Sequence, residues 1–451
     1  MKSLFLVNVF LAGMLLATPY AMADSTLGGS VLTKFGAIKA GNAAGTIPAY
    51  SDEPLPVPDC YDPADPSYYC DPWNDKPLFT ITAQNMDQYA EQLTEGQKTL
   101  LRQYPDYRMD VYPTRRTARF PQYVLKNTVK NQTSCRTTNG GLGVEGCYGG
   151  VPFPIPKTGN EAMWNHLLKF SAYNKVVKAK TFLVDNNGRR IIMGEQELYT
   201  SQPFFDPKKD TTRTMDDPYY LARLEVSGPA RRSGEKIMSS QTVGGGQRIY
   251  QYLPGQRRVK LAPDLAYDTP SPQTGGLATM DQERLFFGKL DRYDFKLIGK
   301  EEKFINYNNF KGNDYKNCPE EKFFTKHFPN PECTRWELHR VWHVEATLKP
   351  GFRHILPKRD FYFDEDMTFA GTVDNYDSSG AIYRVDNAIS FPFYAPGYGT
   401  AAEVNTSVDV RRGSWALGFF GGFPGGGQHP VAEEFPASLF TAESMAGQGV
   451  R

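Results

Sequence analysis

Charge of one sign is what this chain most lacks. It carries 51 Lys and Arg against 50 Asp and Glu, a formal net charge of +1. Basic pairs such as Arg115-Arg116, Arg231-Arg232, Arg257-Arg258 and Arg411-Arg412 are scattered among acids. A nucleic-acid binder needs a concentrated basic excess to displace counterions from phosphates, so that class is disfavoured. There is no C-x-x-C element, which removes the paired-ligand pattern of structural zinc sites. There is no G-x-S-x-G either, and no placement of Ser, His and Asp is distinctive, so nucleophilic catalysis has no motif to rest on. A regular strand–helix alternation is missing, which argues against a doubly wound fold. Beyond the first residues no long apolar run exists that could cross a bilayer.

What is present begins with an export pattern. Lys2 is followed by an apolar run from Leu4 to Ala17, then Pro19 and the small-residue exit Ala21-Met22-Ala23. This order of basic tip, short apolar core and A-x-A exit predicts a secretory signal over residues 1–23, cleaved before Asp24. The mature chain is then expected in the periplasm, free or associated with the outer membrane. The six cysteines fall as three close pairs, Cys60 and Cys70, Cys135 and Cys147, Cys318 and Cys333. An even count in an exported chain reads as disulfides. Sequence leaves the connectivity open; local closure is the simplest arrangement because short loops cost little entropy to close.

Residues 24–78 read as an extended arm. Eight prolines stand between Pro48 and Pro77 inclusive, and proline resists both helix and central strand. Met86, Tyr89, Ala90, Leu93, Leu100 and Leu101 recur at helical spacing within 84–104, with Asn85 as a cap, Pro105 as the stop and Gly96 dividing the middle. A second, shorter helix is expected over 161–170, with Trp164, Leu167 and Leu168 on one side.

From about residue 180 the period changes to two. The segments 181–184 and 190–193 flank Asp185-Asn186-Asn187-Gly188, a hairpin signal. Further strands are expected at 219–226, 248–253, 257–261, 292–298, 340–348, 358–363, 370–376 and 381–385. In 340–348, Trp342, Val344, Ala346 and Leu348 share one face, opposite Val341, His343, Glu345 and Thr347. Asp364-Glu365-Asp366 reads as a solvated turn. The pattern predicts a mainly β fold of α+β class, a large curved antiparallel sheet with helices over its concave face. One domain is expected over 79–415, with a flexible glycine-rich tail over 416–451.

Three weak motifs point elsewhere. Gly141-x-Gly143-x-x-Gly146 matches a dinucleotide fingerprint by letters, but Cys147 to Pro154 cannot open the helix that must receive the pyrophosphate. His339, His343 and Glu345 lie on one side of a strand and are the first residues to inspect for a metal-dependent or hydrolytic enzyme. Asp374 to Gly380 resembles a calcium loop only loosely, since Val385 stands where a glutamate is required. No cofactor, metal or catalytic residue is assigned.

Longer linear motifs do carry a resemblance. They are Ala40-Gly41-Asn42-Ala43-Ala44-Gly45-Thr46-Ile47-Pro48, the run Asp75 to Met86, the run Met109 to Ala118 and Gly149-Gly150-Val151-Pro152-Phe153-Pro154-Ile155-Pro156. The runs Tyr252 to Val259 and Arg335 to Trp342 continue them. Together they resemble the bacterial exported family known as domain of unknown function 1329. That family is similar to the periplasmic lipoprotein-sorting carriers of the LolA and LolB type. The resemblance implies an unclosed β-barrel with lid helices over an apolar cavity, and a non-enzymatic carrier of lipids, lipoproteins or other hydrophobic compounds. It also implies an RND-type export pump or an outer-membrane protein as partner, with peripheral membrane contact. Read on this sequence, the expected cavity residues are Trp342, Val344, Leu348, Phe361, Phe363, Tyr220 and Leu224, and the lid residues Trp164, Leu167 and Leu168. Two other functions compete: a structural or interaction protein of the outer envelope, and an enzyme.

Overall fold

The alternating segments assemble as expected, into one very large sheet. A computed structural model describes residues 26–446, apart from 63, 66, 210, 212, 213, 370, 395–398, 402 and 403. The expected signal segment therefore lies outside the described residues. Sixteen strands form a single sheet. It runs from Tyr293–Asn306 through Trp336–Leu348, Lys358–Asp364, Gly371–Tyr376 and Ile382–Ala388 to Asn405–Asp409 and Ser414–Phe420. It continues through Asn174–Val184, Arg190–Ser201, Pro218–Gly228, Lys236–Thr242 and Gln247–Leu253 to Arg258–Leu261. These ladders are all antiparallel; one parallel pairing, Trp336 with Val111, attaches a short antiparallel pair, Phe79–Ile81 with Met109–Val111. The end strands Tyr293–Asn306 and Arg258–Leu261 do not pair with each other, so the sheet is open.

Local chemistry sets the hairpins. Asp185 Oδ1 accepts from the backbone N–H groups of Asn187 and Arg189, both at 2.9 Å, and Gly188 takes φ 85°. That turn fixes the register Val184 opposite Arg190. The strands are longer than their alternation suggested: the one expected over 292–298 continues to Asn306, and the one expected from 340 begins at Trp336.

Helix α1 (Glu95–Gln103) follows a 3-10 turn, Met86–Tyr89; the segment is divided, but the break falls over 90–94 and Gly96 lies inside α1 rather than at the division. The cap is Thr94 in a reciprocal box with Gln97 rather than Asn85. Helix α2 (Gln122–Ser134) was not anticipated: its Asn, Thr and Val residues are modest helix formers. Helix α3 (Gly159–Leu167) is capped by Thr158, which accepts from the Glu161 N–H at 3.2 Å. The two expected helices lie on opposite faces. Helix α3 joins the core of Val373, Phe361 and Phe363, whereas Gly96 of α1 donates its N–H to Asp374 at 2.8 Å. Adjacent strand residues point to opposite faces, so both faces of the central sheet are covered.

Two expectations are corrected. The tail expected to be flexible from residue 416 contributes strand Ser414–Phe420 to the middle of the sheet and strand Gly427–Val431 beside Asn174–Lys178. Its glycines serve close approach: a β-carbon on Gly421 would lie 2.5 Å from Gly427 Cα. Asp364-Glu365-Asp366 is buried, with exposures of 1, 6 and 3%. Arg116 grips Asp366 with two bonds of 2.8 and 2.6 Å, and Arg340 and Lys300 reach Glu365 at 3.0 and 2.7 Å. Burying acids demands such partners. The arm closes over this cluster, Lys39 and Ala40 presenting carbonyls to Arg116 and Arg340. The cysteines pair locally, Cys60–Cys70, Cys135–Cys147 and Cys318–Cys333.

Candidate functional site

An apolar groove opens at the far half of the sheet. Its floor is one face of four neighbouring strands. Leu198 pairs across to Leu224 and Leu224 to Ile237; Ala222 pairs to Ser239 and Ser239 to Ile249. Period-two alternation puts these side chains, with Tyr220, on the same side. The roof is the irregular connector between Leu261 and Tyr293, which supplies Pro272, Gln273, Met280, Glu283, Arg284 and Phe287. The groove holds about 600 Å³ of empty volume, its open mouth included, of which about 60 Å³ is roomy enough for water. At about 60 Å³ the groove is well below the roughly 300–1,000 Å³ of common ligand clefts, though it shares their apolar walls and few polar groups. The Arg284 guanidinium lies 4.4 Å from the centre of the Tyr220 ring, a cation–π contact in the wall.

The roof is tied down by buried polar groups. Thr279 caps a short turn whose Gln282 donates to Asp386 at 2.9 Å and accepts from Arg384 at 2.7 Å. Asp281 meets Arg359 at 3.1 Å and His354 at 3.0 Å. Burial pushes the Asp281 carboxyl up, but Arg359, His354 and Thr279 outweigh it and hold it below the usual range. Burial leaves Asp386 raised. Arg284 and Leu285 adopt φ of 56° and 68°, a region unfavourable to residues with a β-carbon. The roof segment is thus held in a strained path by contacts on two central strands and the loop at His354.

The family model described as Protein of unknown function (DUF1329) matches residues 80–445. The chain belongs to the DUF1329 family. The uncharacterized protein PA3922 of Pseudomonas aeruginosa is 37% identical over 402 residues, 86% of each chain. Among solved structures, a DUF1329 family protein from Desulfovibrio piger is 14% identical with a TM-score of 0.39, covering 61% of this chain and 92% of that one. A putative outer membrane lipoprotein-sorting protein domain from Vibrio parahaemolyticus is 12% identical with a TM-score of 0.41, covering 63% and 97%.

In this DUF1329 chain the ten expected cavity and lid residues divide. Tyr220 and Leu224 line the groove. Leu168 and Trp342 border a second recess, with Phe35 of the arm and Asp366, and Lys300 covers the Trp342 ring at 4.6 Å. Trp164 and Leu167 border a third, near Tyr219 and Gln241. Val344, Phe361 and Phe363 are packed in the core, with Leu348 at its margin. The groove's roof, and with it Gln273 and Phe287, was missed; an aperiodic connector leaves no pattern to read.

The three residues singled out for metal or enzyme chemistry do not converge. His339 is buried between Glu337 at 3.1 Å and Asp364 at 2.9 Å. Burial alone would lower its pKa, but the two carboxylates raise it to about 9. Both ring nitrogens meet acceptors, so both carry hydrogens. His343 pairs with Glu301 at 2.7 Å, and Glu345 with Lys358 at 3.0 Å. Among the described residues no group of three or more such side chains is placed to hold a metal.

Proposed function

We propose that this protein is a non-enzymatic periplasmic carrier of lipids or other hydrophobic molecules. The observation that carries this reading is the groove, whose floor of Leu198, Leu224, Ile237 and Ile249 offers an apolar surface that remains open at its mouth. Exposing an acyl chain to water costs roughly 0.8 kcal/mol per methylene, so a shuttle must cover the chain and still release it. An open sheet roofed by an irregular segment suits both tasks. The narrow unliganded space requires the roof to move outward when a long chain enters. Pairing of all six cysteines supports an oxidising compartment. No helix among the described residues is long and apolar enough to cross a membrane. Transfer to or from an RND-type pump or an outer-membrane protein forms part of this reading, and co-purification from crosslinked envelopes addresses it.

The test is native mass spectrometry with solvent extraction on the mature protein purified without detergent. A defined apolar molecule released on denaturation establishes a carrier and gives its class. A clean unliganded mass, unchanged after incubation with fatty acids and phospholipids, refutes the proposal.

A further inference from the structure

One buried group in the groove wall has no partner. Gln273 is 4% exposed and lines the groove, yet among the described residues neither its Nε2 nor its Oε1 makes a hydrogen bond. Leaving a buried amide unpaired carries a desolvation penalty, and native proteins rarely tolerate it without cause. Gln196 Oε1 is also unpartnered and lies close by: a β-carbon on Gly194 would fall 2.7 Å from it and 3.4 Å from Gln273 Oε1. Turning the Gln273 amide toward Gln196 would serve one of its two ends and leave the other unmet. The rest of the nearby wall is aliphatic or aromatic, apart from the Ser239 hydroxyl, Glu283 and Arg284. Glu283 is engaged by the Ser271 hydroxyl at 3.1 Å.

We propose that Gln273 is the head-group contact of this groove, and that the cargo is a single-chain amphiphile whose uncharged head both donates and accepts hydrogen bonds. This deepens the carrier reading and rests on it. The apolar tail lies along Leu224 and Ile237; the head reaches the amide, its carbonyl accepting from Nε2 and its hydroxyl donating to Oε1. Pure hydrocarbon satisfies the floor and leaves the amide unpaired, so it binds less well.

The experiment displaces the fluorophore N-phenyl-1-naphthylamine from the mature protein with three probes of similar chain length. Monopalmitoylglycerol offers donor and acceptor, methyl palmitate an acceptor only, and hexadecane neither. The expected order of affinity is the order of naming. Gln273→Met should weaken monopalmitoylglycerol by about 3- to 10-fold, the range of one or two ordinary hydrogen bonds, and leave hexadecane within about twofold by the same reasoning. The same variant should melt no lower than the parent when unliganded, since it removes an unpaired buried amide. Gln241→Leu removes an equally buried, equally unpartnered amide outside the groove and should leave the order unchanged. Equal weakening of all three probes by Gln273→Met, or equal affinity of the parent for monopalmitoylglycerol and hexadecane, overturns the head-group role while leaving the carrier reading intact. Failure of the parent to bind fluorophore or probes overturns the carrier reading itself.

Discussion

Asp374 gives a sharp test of how α1 is docked. Its carboxyl is fully buried; Oδ2 accepts from the Gly96 N–H at 2.8 Å and Oδ1 lies 3.0 Å from the Thr94 hydroxyl. Burial, aided by Asp360 and Glu95, overrides these bonds and raises its pKa from 3.8 to about 7. The unfolded chain loses this proton near the ordinary value, while the folded chain keeps it to about pH 7. Between those limits the folded state binds more protons than the unfolded state, so the contribution of this group falls as pH rises. Each pH unit in that window removes about 1.4 kcal/mol, roughly 4 kcal/mol over the whole of it. Asp374→Asn imitates the neutral acid: its oxygen can accept from Gly96 and its amide can donate to Thr94. The variant should match the parent near pH 4 and exceed it increasingly up to pH 7, with no further gain above. Denaturant unfolding of both proteins from pH 4 to 8, disulfides intact, measures the difference. A gap that does not change with pH would refute the argument.

Four further outcomes are expected. Gly96→Ala, normally a helix-stabilising change, should instead cost about 1–3 kcal/mol in thermal unfolding, because its β-carbon would lie 2.2 Å from Asp374 Oδ1 and 2.8 Å from Val385 Cγ2; a gain in stability would contradict this packing. Leu224→Asp, in the groove floor, should lower affinity for an apolar fluorophore at least about tenfold with an unchanged circular dichroism spectrum, and undiminished binding would remove the groove from consideration. Replacing Cys318 and Cys333 together by serine opens a closure spanning a sequence separation of 15 and should cost about 3 kcal/mol by non-reducing calorimetry. Trp164→Ala should cost about 3–5 kcal/mol, since the indole is 1% exposed and donates to the Gly141 carbonyl at 2.9 Å.

Much of the architecture was legible because its signals are local. The hairpin at Asp185 to Gly188, the alternation through Trp342 and Val344, and the helical spacing that ends in Leu100 and Leu101 all depend on neighbours within a few positions. Helix α2 was missed although Pro121 stands at its start and Val124, Thr128 and Asn131 keep helical spacing; polar residues at two of those three buried positions hid the stripe. The glycine-rich end was misread because composition cannot separate glycine used for freedom from glycine used for close contact. Asp364 to Asp366 was misread for a related reason. Their partners Arg116, Lys300 and Arg340 lie far away in sequence.

The cavity residues show where sequence stops. Alternation identified which side chains turn inward, and Tyr220, Leu224, Val344 and Phe361 do so. It could not say which inward side chains meet an opening, because both faces of the central sheet are covered and most inward positions are simply filled. That choice belongs to the connector between Leu261 and Tyr293, which leaves one stretch of the sheet uncovered where it passes over. Its path is held by Gln282 on Asp386 and by Asp281 on Arg359. Sequence alone determined the family, many of the strands though not Lys236–Thr242, Asn405–Asp409, Ser414–Phe420 or Gly427–Val431, the hairpin at Asp185 to Gly188 and the pairing-ready cysteines, since each is written in short-range pattern. Only the tertiary structure decided where the groove lies and that Gln273 faces it, because both follow from contacts between segments separated by about a hundred residues.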